Sequence, residues 1–520
     1  MKYMTVHFID TRGLDDSRPT YSEALLRGIA QGGGLYLPET LPHFSPEDLD
    51  ALAPLPYAER GTEIYRAFDI DFNDQEIKRI MWKAYGNQWD DHRIAPVVSL
   101  DDKTHMLELW HGPTSAFKDL ALQCMPRFFS RALKRERQAG RLARDLLILV
   151  ATSGDTGSAA LAGFAHRKYT NLLVFYPEGG VSDVQRTQMT SSLGMNVGVY
   201  GLDGNFDDCQ RAVKEAFANE ELAEWLKDHT DLQLSSANSI NWGRLMPQII
   251  YYFSAIIDLR QNGKLKEDEL LDISVPTGNF GNIMAAWLAK QMGAPIGRLL
   301  CASNENNILT DFINTGTYDI HDRGFYLTPS PAMDILVSSN LERLLYCLSD
   351  AKHVQSWMQQ RTDTGSFSVD RKTLKQIRRD FVGGSVSNDE SLAAIREVWQ
   401  RYHYLIEPHT AVAWKVGECH RGENPLLIVS TAHWAKFGPN VMRGLLGVPA
   451  DAPRPKPYDE MTGFELLRAL QRLAPEAAHI PNRLSSLAGA CERYTETIPA
   501  TEECVYSKIQ SWIAARRETH

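Results

Sequence analysis

A series of short apolar runs constrains this chain more than any other feature. Leu146-Leu147-Ile148-Leu149-Val150 is unbroken, and residues 172–176, 196–200, 272–276 and 426–430 repeat the plan. A strand wetted on one face alternates apolar and polar residues, whereas a strand buried on both faces reads as a continuous run. Helical stretches follow the runs, as in the Ala-rich segment after Val150. This alternation predicts βα units and an α/β fold with parallel sheets and flanking helices.

At 520 residues, the chain is too long for one small domain. Residues 1–95 read as a helical and loop-rich leader, with Gly32-Gly33-Gly34 a turn signal. Residues 96–450 form the α/β core, expected as two subdomains. Pro453-Arg454-Pro455-Lys456-Pro457 opens a C-terminal tail, 451–520, that continues as amphipathic helix through Phe464-Glu465-Leu466-Leu467-Arg468-Ala469-Leu470. The net charge of −10 argues against a nucleic-acid partner, since phosphate backbones need a basic face. It leaves room for a small anionic substrate held by a local cation or helix N-terminus. The 7 cysteines are scattered, with no Cys-x-x-Cys pair, so neither a disulfide framework nor a metal site is expected. Residues 1–7 lack an apolar signal core, and no run reaches membrane-spanning length. A cytoplasmic enzyme without membrane contact is the expectation.

Chemistry enters with His111-Gly112-Pro113-Thr114-Ser115-Ala116-Phe117-Lys118-Asp119. Lys118 stands behind a Pro-containing turn and ahead of the apolar Leu120-Ala121-Leu122. An amine drawn against an apolar wall loses favour for its charged form, and its pKa falls from about 10.4. The neutral amine is the form that condenses with an aldehyde. Taken alone, the segment reads as a surface lysine at a helix start with its head in water.

Three motifs downstream reverse that. Ala151-Thr152-Ser153-Gly154-Asp155-Thr156-Gly157-Ser158 and Pro276-Thr277-Gly278-Asn279-Phe280-Gly281-Asn282 are each a strand end, a Gly-rich turn and a helix start. Such turns let backbone N–H groups and a helix N-terminus approach an anion. Three amides on one phosphate, at about 1.5–3 kcal/mol each before desolvation, anchor a cofactor while its other end exchanges partners. Neither motif is a Walker sequence or a dinucleotide fingerprint, and either one alone also fits a plain βα turn. Together with Lys118 they point to pyridoxal phosphate. The last motif is Ser430-Thr431-Ala432-His433-Trp434-Ala435-Lys436-Phe437. A Thr431 hydroxyl can bond a pyridine nitrogen without carrying a full charge; it also fits a strand-end cap. His433 by itself reads as a structural histidine.

In these motifs the chain resembles threonine synthase of the long bacterial and fungal type, within the tryptophan-synthase-β-like, fold-type-II pyridoxal-phosphate enzymes. Residues 181–189, 238–244, 330–340 and 407–411 support the match, which runs from near Tyr21 to about Leu446. The resemblance implies that Lys118 is the catalytic, cofactor-bearing lysine. It implies that Gly278, Asn279, Phe280, Gly281 and Asn282 cup the cofactor phosphate and that Thr431 faces the pyridine nitrogen. It assigns the substrate carboxylate to Ser153, Gly154, Asp155, Thr156 and Gly157, and the substrate phosphate to Asn241 and Arg244.

The implied reaction is that of a carbon-oxygen lyase: O-phospho-L-homoserine and water give L-threonine and phosphate, by γ-elimination and β-hydration. The partner is then a small phosphorylated amino acid; the sequence does not fix the oligomeric state. Two features depart from the family pattern. Trp434 stands where the family has proline, and Gly438-Pro439 makes the following segment more turn-like. The tail beyond about Pro453 matches nothing in the family. These departures keep open a phospho-lyase yielding 2-oxobutyrate, or a γ/β-replacement enzyme of a specialised pathway. A non-catalytic phosphate-ligand protein is the third reading, and the presence of Lys118 speaks against it.

Overall fold

The computed structural model describes residues 5–141, 144–235 and 238–517. Two separate parallel sheets organise it. The larger has six strands in the order Phe381–Ser385, Ile296–Ser303, Leu271–Pro276, Leu426–Ser430, Thr104–Glu108, Val97–Ser99, and only the last pair is antiparallel. The smaller has five parallel strands, Thr497–Pro499, Val197–Asp203, Thr170–Pro177, Asp145–Ala151 and Leu232–Ser235. Every residue of Thr170–Pro177, Leu271–Pro276 and Leu426–Ser430 is buried. Helices cover both faces of these strands, which is why their sequences need no polar alternation.

The leader carries, besides its helices, an antiparallel pair, Phe8–Asp10 with Tyr36–Pro38. Its helix Tyr21–Arg27 starts at a capping box in which Thr20 and Glu23 bond each other's backbone N–H, and it buries Tyr21 and Leu25. The long helix Trp242–Gln261 runs through the interior, with nearly every residue buried.

The tail is tied to both sheets. Leu466, Leu467 and Leu470 of helix Gly463–Leu473 enter the same apolar cluster as Trp414 and Trp434. Further on, Thr497–Pro499 pairs with Val197–Asp203, and Val505, Ile509 and Ile513 pack with Leu147 and Leu149 under the smaller sheet. Among the described residues no helix is long and apolar enough to cross a membrane. In parallel sheets, ligands gather at the carboxyl ends of the strands. Asp145–Ala151, Leu271–Pro276 and Leu426–Ser430 end there in the three motifs read from the sequence.

Candidate active site

Lys118 opens the short helix Lys118–Leu122, and the turn before it is pinned to the strand-end motif at 430–433. Phe117 N–H donates to the Thr431 carbonyl at 2.7 Å and His433 N–H to the Ser115 carbonyl at 3.1 Å. Ala116 and Ala432 form an isolated antiparallel bridge. Ser115 sits at φ 58°, in the left-handed region that a non-glycine residue adopts only where its surroundings enforce it. Inside the turn, Asp119 takes the Thr114 N–H at 2.7 Å and the Thr114 hydroxyl at 2.8 Å. Burial pushes the Asp119 carboxyl up to about 6.

The Lys118 amine is brought down to about 8. Burial is the main cause; Asp155 opposes it, while Arg244 and Lys436 add to it. Roughly a tenth of the amine is therefore neutral near pH 7, far more than at its ordinary pKa, and neutral is the state a nucleophilic or basic lysine needs. Asp155 heads the helix Asp155–Phe164. Burial disfavours its charge, but Lys436 and Lys118 outweigh that and hold the carboxylate well below its ordinary range. Lys436 lies 2.8 Å away with no exposed surface, and also donates to the Thr114 carbonyl at 2.8 Å.

The second motif is a rigid cradle. The Thr152 hydroxyl accepts from Gly154 N–H at 3.0 Å and Gly157 N–H at 2.8 Å. Gly154 has φ 118°, and a Cβ there would lie 2.6 Å from the Gln185 side chain, so only glycine fits. Gln185 Nε2 donates to Asp155 at 2.9 Å. The Asp155 carboxylate is thus committed to Lys436 and Gln185. That side chain is therefore not free to take a ligand, and only the Asp155 backbone N–H is left at the helix start.

The third motif fits a phosphate. Phe280, at φ 63°, turns the chain into helix Gly281–Gln291. Among the described residues, no carbonyl accepts the N–H groups of Gly278, Asn279, Phe280, Gly281 or Asn282. The Tyr251 and Tyr252 hydroxyls both donate to Asn282 Oδ1, at 2.6 and 2.5 Å. Asn282 Nδ2 is buried without a protein acceptor. A Cβ on Gly281 would meet nothing closer than Asn340 Nδ2 at 3.5 Å, so the space beside the helix start is open. A buried unpaired donor beside a row of amides at a helix N-terminus is the donor set a phosphate group takes.

Thr431 is buried, and its hydroxyl donates to Glu407 at 3.4 Å. Glu407 is saturated by closer partners, the Thr410 hydroxyl at 2.6 Å and His409 Nδ1 at 2.5 Å. The Thr431 hydroxyl is therefore only loosely held by protein. His433 is a neutral structural histidine: burial and the neighbouring His111, His479 and Arg483 depress it to about 3. Its Nδ1 accepts the Ala435 N–H at 3.2 Å.

Arg244 is brought close enough to act on the Lys118 amine, and burial lowers its own pKa to about 10. Asn241 is occupied differently from the sequence reading. Its Oδ1 accepts from Gly243 N–H and its Nδ2 donates to the Leu25 carbonyl, both at 2.9 Å, so the side chain caps helix Trp242–Gln261. Sequence reasoning also missed His111, wedged between Asp90 at 2.6 Å and Glu108 at 2.7 Å. Its place at the head of the His111-Gly112-Pro113 motif was the hint.

A family model described as pyridoxal-phosphate dependent enzyme matches residues 105–425, and one described as threonine synthase N terminus matches residues 7–85. Threonine synthase-like 1 of Homo sapiens is 39% identical over 436 residues, which cover 82% of this chain and 58% of that protein. This chain therefore spans less than two thirds of that relative's length. Threonine synthase of Pseudomonas aeruginosa is 37% identical over 85% of this chain and 91% of its own length. The crystal structure of pyridoxal-phosphate-bound threonine synthase from Brucella melitensis matches with a TM-score of 0.83 at 35% identity, over 98% of this chain and 99% of that one.

Proposed function

We propose that this chain, which belongs to the threonine synthase family of pyridoxal-phosphate-dependent enzymes, converts O-phospho-L-homoserine and water to L-threonine and phosphate. Its cofactor is pyridoxal phosphate, which when bound makes the protons at the substrate's Cα and Cβ removable by drawing electrons from the amine-bearing carbon. Residues 96–450 form the catalytic core, with 1–95 and 451–520 bracing it.

In this reading Lys118 bears the cofactor and moves protons. An amine near pKa 8 accepts a proton from Cα and can return one to Cγ after phosphate has left. Asp155 and Lys436 keep the field at that amine constant, because both charges are locked in place. Gly278, Asn279, Phe280, Gly281 and Asn282 hold the cofactor phosphate through N–H groups and the Asn282 amide. Thr431 offers a neutral hydroxyl to the ring nitrogen, which leaves that nitrogen uncharged more readily than a carboxylate would. The N–H groups from Ser153 to Gly157, Thr156 included, receive the substrate carboxylate, and the buried Arg244 cation draws the substrate phosphate. A reducing, cytoplasmic setting suits the 7 free thiols.

The observation that supports this most is the joining of a desolvated lysine to two Gly-rich helix starts and a strand-end hydroxyl. The test is product identity in heavy water. Threonine deuterated at both Cα and Cγ, with one phosphate per threonine, is the expected product. Mainly 2-oxobutyrate and ammonia would instead identify a phospho-lyase, because the unsaturated intermediate would have left before water added at Cβ. Borohydride reduction followed by peptide mapping should place the pyridoxyl group on Lys118. Labelling at Lys103, Lys168 or Lys436 would overturn the assignment.

A further inference from the structure

We propose that the C-terminal tail belongs to the site's machinery, with Arg483 a positioning residue that holds the lysine-bearing turn against the cofactor cup. The proposal rests on the reading of Lys118 as the cofactor-bearing lysine.

Arg483 reaches the base of that turn with both arms of its guanidinium. Nη1 donates to the His111 carbonyl at 2.8 Å and also to the Gly112 carbonyl. Nη2 lies 3.2 Å from Asp90 Oδ2. Asp90 engages the same residue twice more: its N–H donates to the His111 carbonyl at 3.1 Å, and its Oδ1 takes His111 Nδ1 at 2.6 Å. The other imidazole nitrogen donates to Glu108, whose second oxygen takes the Tyr404 hydroxyl at 2.5 Å. The two carbonyls, the imidazole and both carboxylates at the base of the turn are therefore tied, and the tail supplies the tie that spans two carbonyls and a carboxylate.

Movement at this base is passed to Lys118. A Cβ on Gly112 would lie 2.5 Å from the Asp119 Cβ, so the two ends of the turn are in contact. The charge of Arg483 acts on Asp119, together with Lys436, while Asp155, Arg244 and Lys436 face Lys118 itself. The guanidinium is set by the short helix Asn482–Ser485, whose Leu484 is fully buried in the cluster that contains Trp434. The fork geometry explains the residue type: a lysine has one point charge and cannot address three acceptors along two directions at once.

The test compares wild-type holoenzyme with R483M, R483K and L470A. Leu470 is a buried tail residue in the same apolar cluster, and its truncation reports what loosening of the tail alone does. Three quantities are read: the rate of cofactor loss on dilution, the pH midpoint of the bound cofactor's visible absorbance, and Tm. R483M should lose cofactor about tenfold faster, the scale of lost hydrogen bonds to a charged group. It should also move the midpoint upward by about half a unit, because the turn that sets Lys118 has loosened and a cation acting on the adjacent Asp119 has left. R483K should recover part of both, and L470A should lower Tm while leaving the midpoint in place. If R483M behaves as L470A in both cofactor readouts, the proposal is overturned. Should R483M not fold, R483K against wild type decides by the same two readouts. A wild-type enzyme that does not carry cofactor on Lys118 refutes the reading of the site instead.

Discussion

The Asp155 carboxylate and the Lys436 ammonium meet at 2.8 Å where neither can be rehydrated without opening the site. One residue starts the helix of the first Gly-rich motif and the other lies in the strand-end motif, so this ion pair joins the smaller sheet to the larger one.

Breaking this pair should be severe. Asp155→Asn leaves a buried ammonium uncompensated, a loss of about 3–5 kcal/mol, whereas Asp155→Asn with Lys436→Met should recover part of it. Denaturant unfolding of Asp155→Asn, Lys436→Met and the double variant measures the difference. The pair also has a pH signature. The Asp155 carboxyl is held below its usual 3.8, so its contribution is present above that value and is lost as acid protonates it below.

His111 should give the opposite pH dependence. Burial works against its charge, but hydrogen bonds to Asp90 and Glu108 outweigh that and push it up to about 9 from 6.5. The stabilisation is fully present below pH 6.5 and is lost as pH rises through 9, with an upper limit of about 3 kcal/mol. The stability difference between wild type and His111→Gln should therefore be large at pH 6 and shrink toward pH 9.5. A difference that stays flat across that range would show that folding leaves the histidine's pKa unshifted.

Gly281 and Gly154 should respond differently to the same change. Gly281→Ala meets only ordinary contacts, so apo stability should be retained while cofactor is released more readily. Gly154→Ala combines φ 118° with a 2.6 Å clash against Gln185 and should lower Tm of the apo chain, by at least about 1 kcal/mol in stability. Thermal melts and cofactor titrations on both variants separate the two roles. Thr431→Val should weaken cofactor binding less than Gly281→Val does, since a single neutral hydrogen bond contributes about 0.5–1.5 kcal/mol.

Trp434 begins the 3-10 turn Trp434–Phe437, a first-turn position whose backbone proline can adopt. Its ring is buried with Leu466, Leu470 and Leu484 of the tail. Trp434→Pro should therefore keep the loop path and the product but lose about 3–5 kcal/mol of packing. Product analysis beside a stability measurement checks both. A changed product ratio would restore the idea that this tryptophan selects the reaction.

The strands that the sequence made legible were those buried on both faces. The run 426–430 coincides with Leu426–Ser430, and 146–150 lies within Asp145–Ala151. Thr104–Glu108 escaped notice because His105 and Glu108 interrupt it, and both are buried through side-chain partners elsewhere, Ser99 and His111. Phe381–Ser385 was hidden by Gly383 and Gly384, which read as a turn; a Cβ at Gly384 would stand 2.7 Å from Val416. At the site, backbone-donor motifs were readable because glycine spacing encodes them. Lys436 stood inside a recognised motif, yet nothing local shows that it faces Asp155. Arg483 lies far along the chain from His111, and contact between them exists only after the tail has folded back.

The strand Thr497–Pro499 has three residues, and it lies along the outer side of Val197–Asp203. Without it, that side of the smaller sheet would present a ladder of unpaired N–H and C=O groups, a template for any other extended chain. During synthesis the ladder stays bare until residues 497–499 have left the ribosome, long after Val197–Asp203. A product truncated before Thr497 would keep every motif of the candidate site and still be sticky. Its failure in a cell would register as aggregation rather than as lost chemistry.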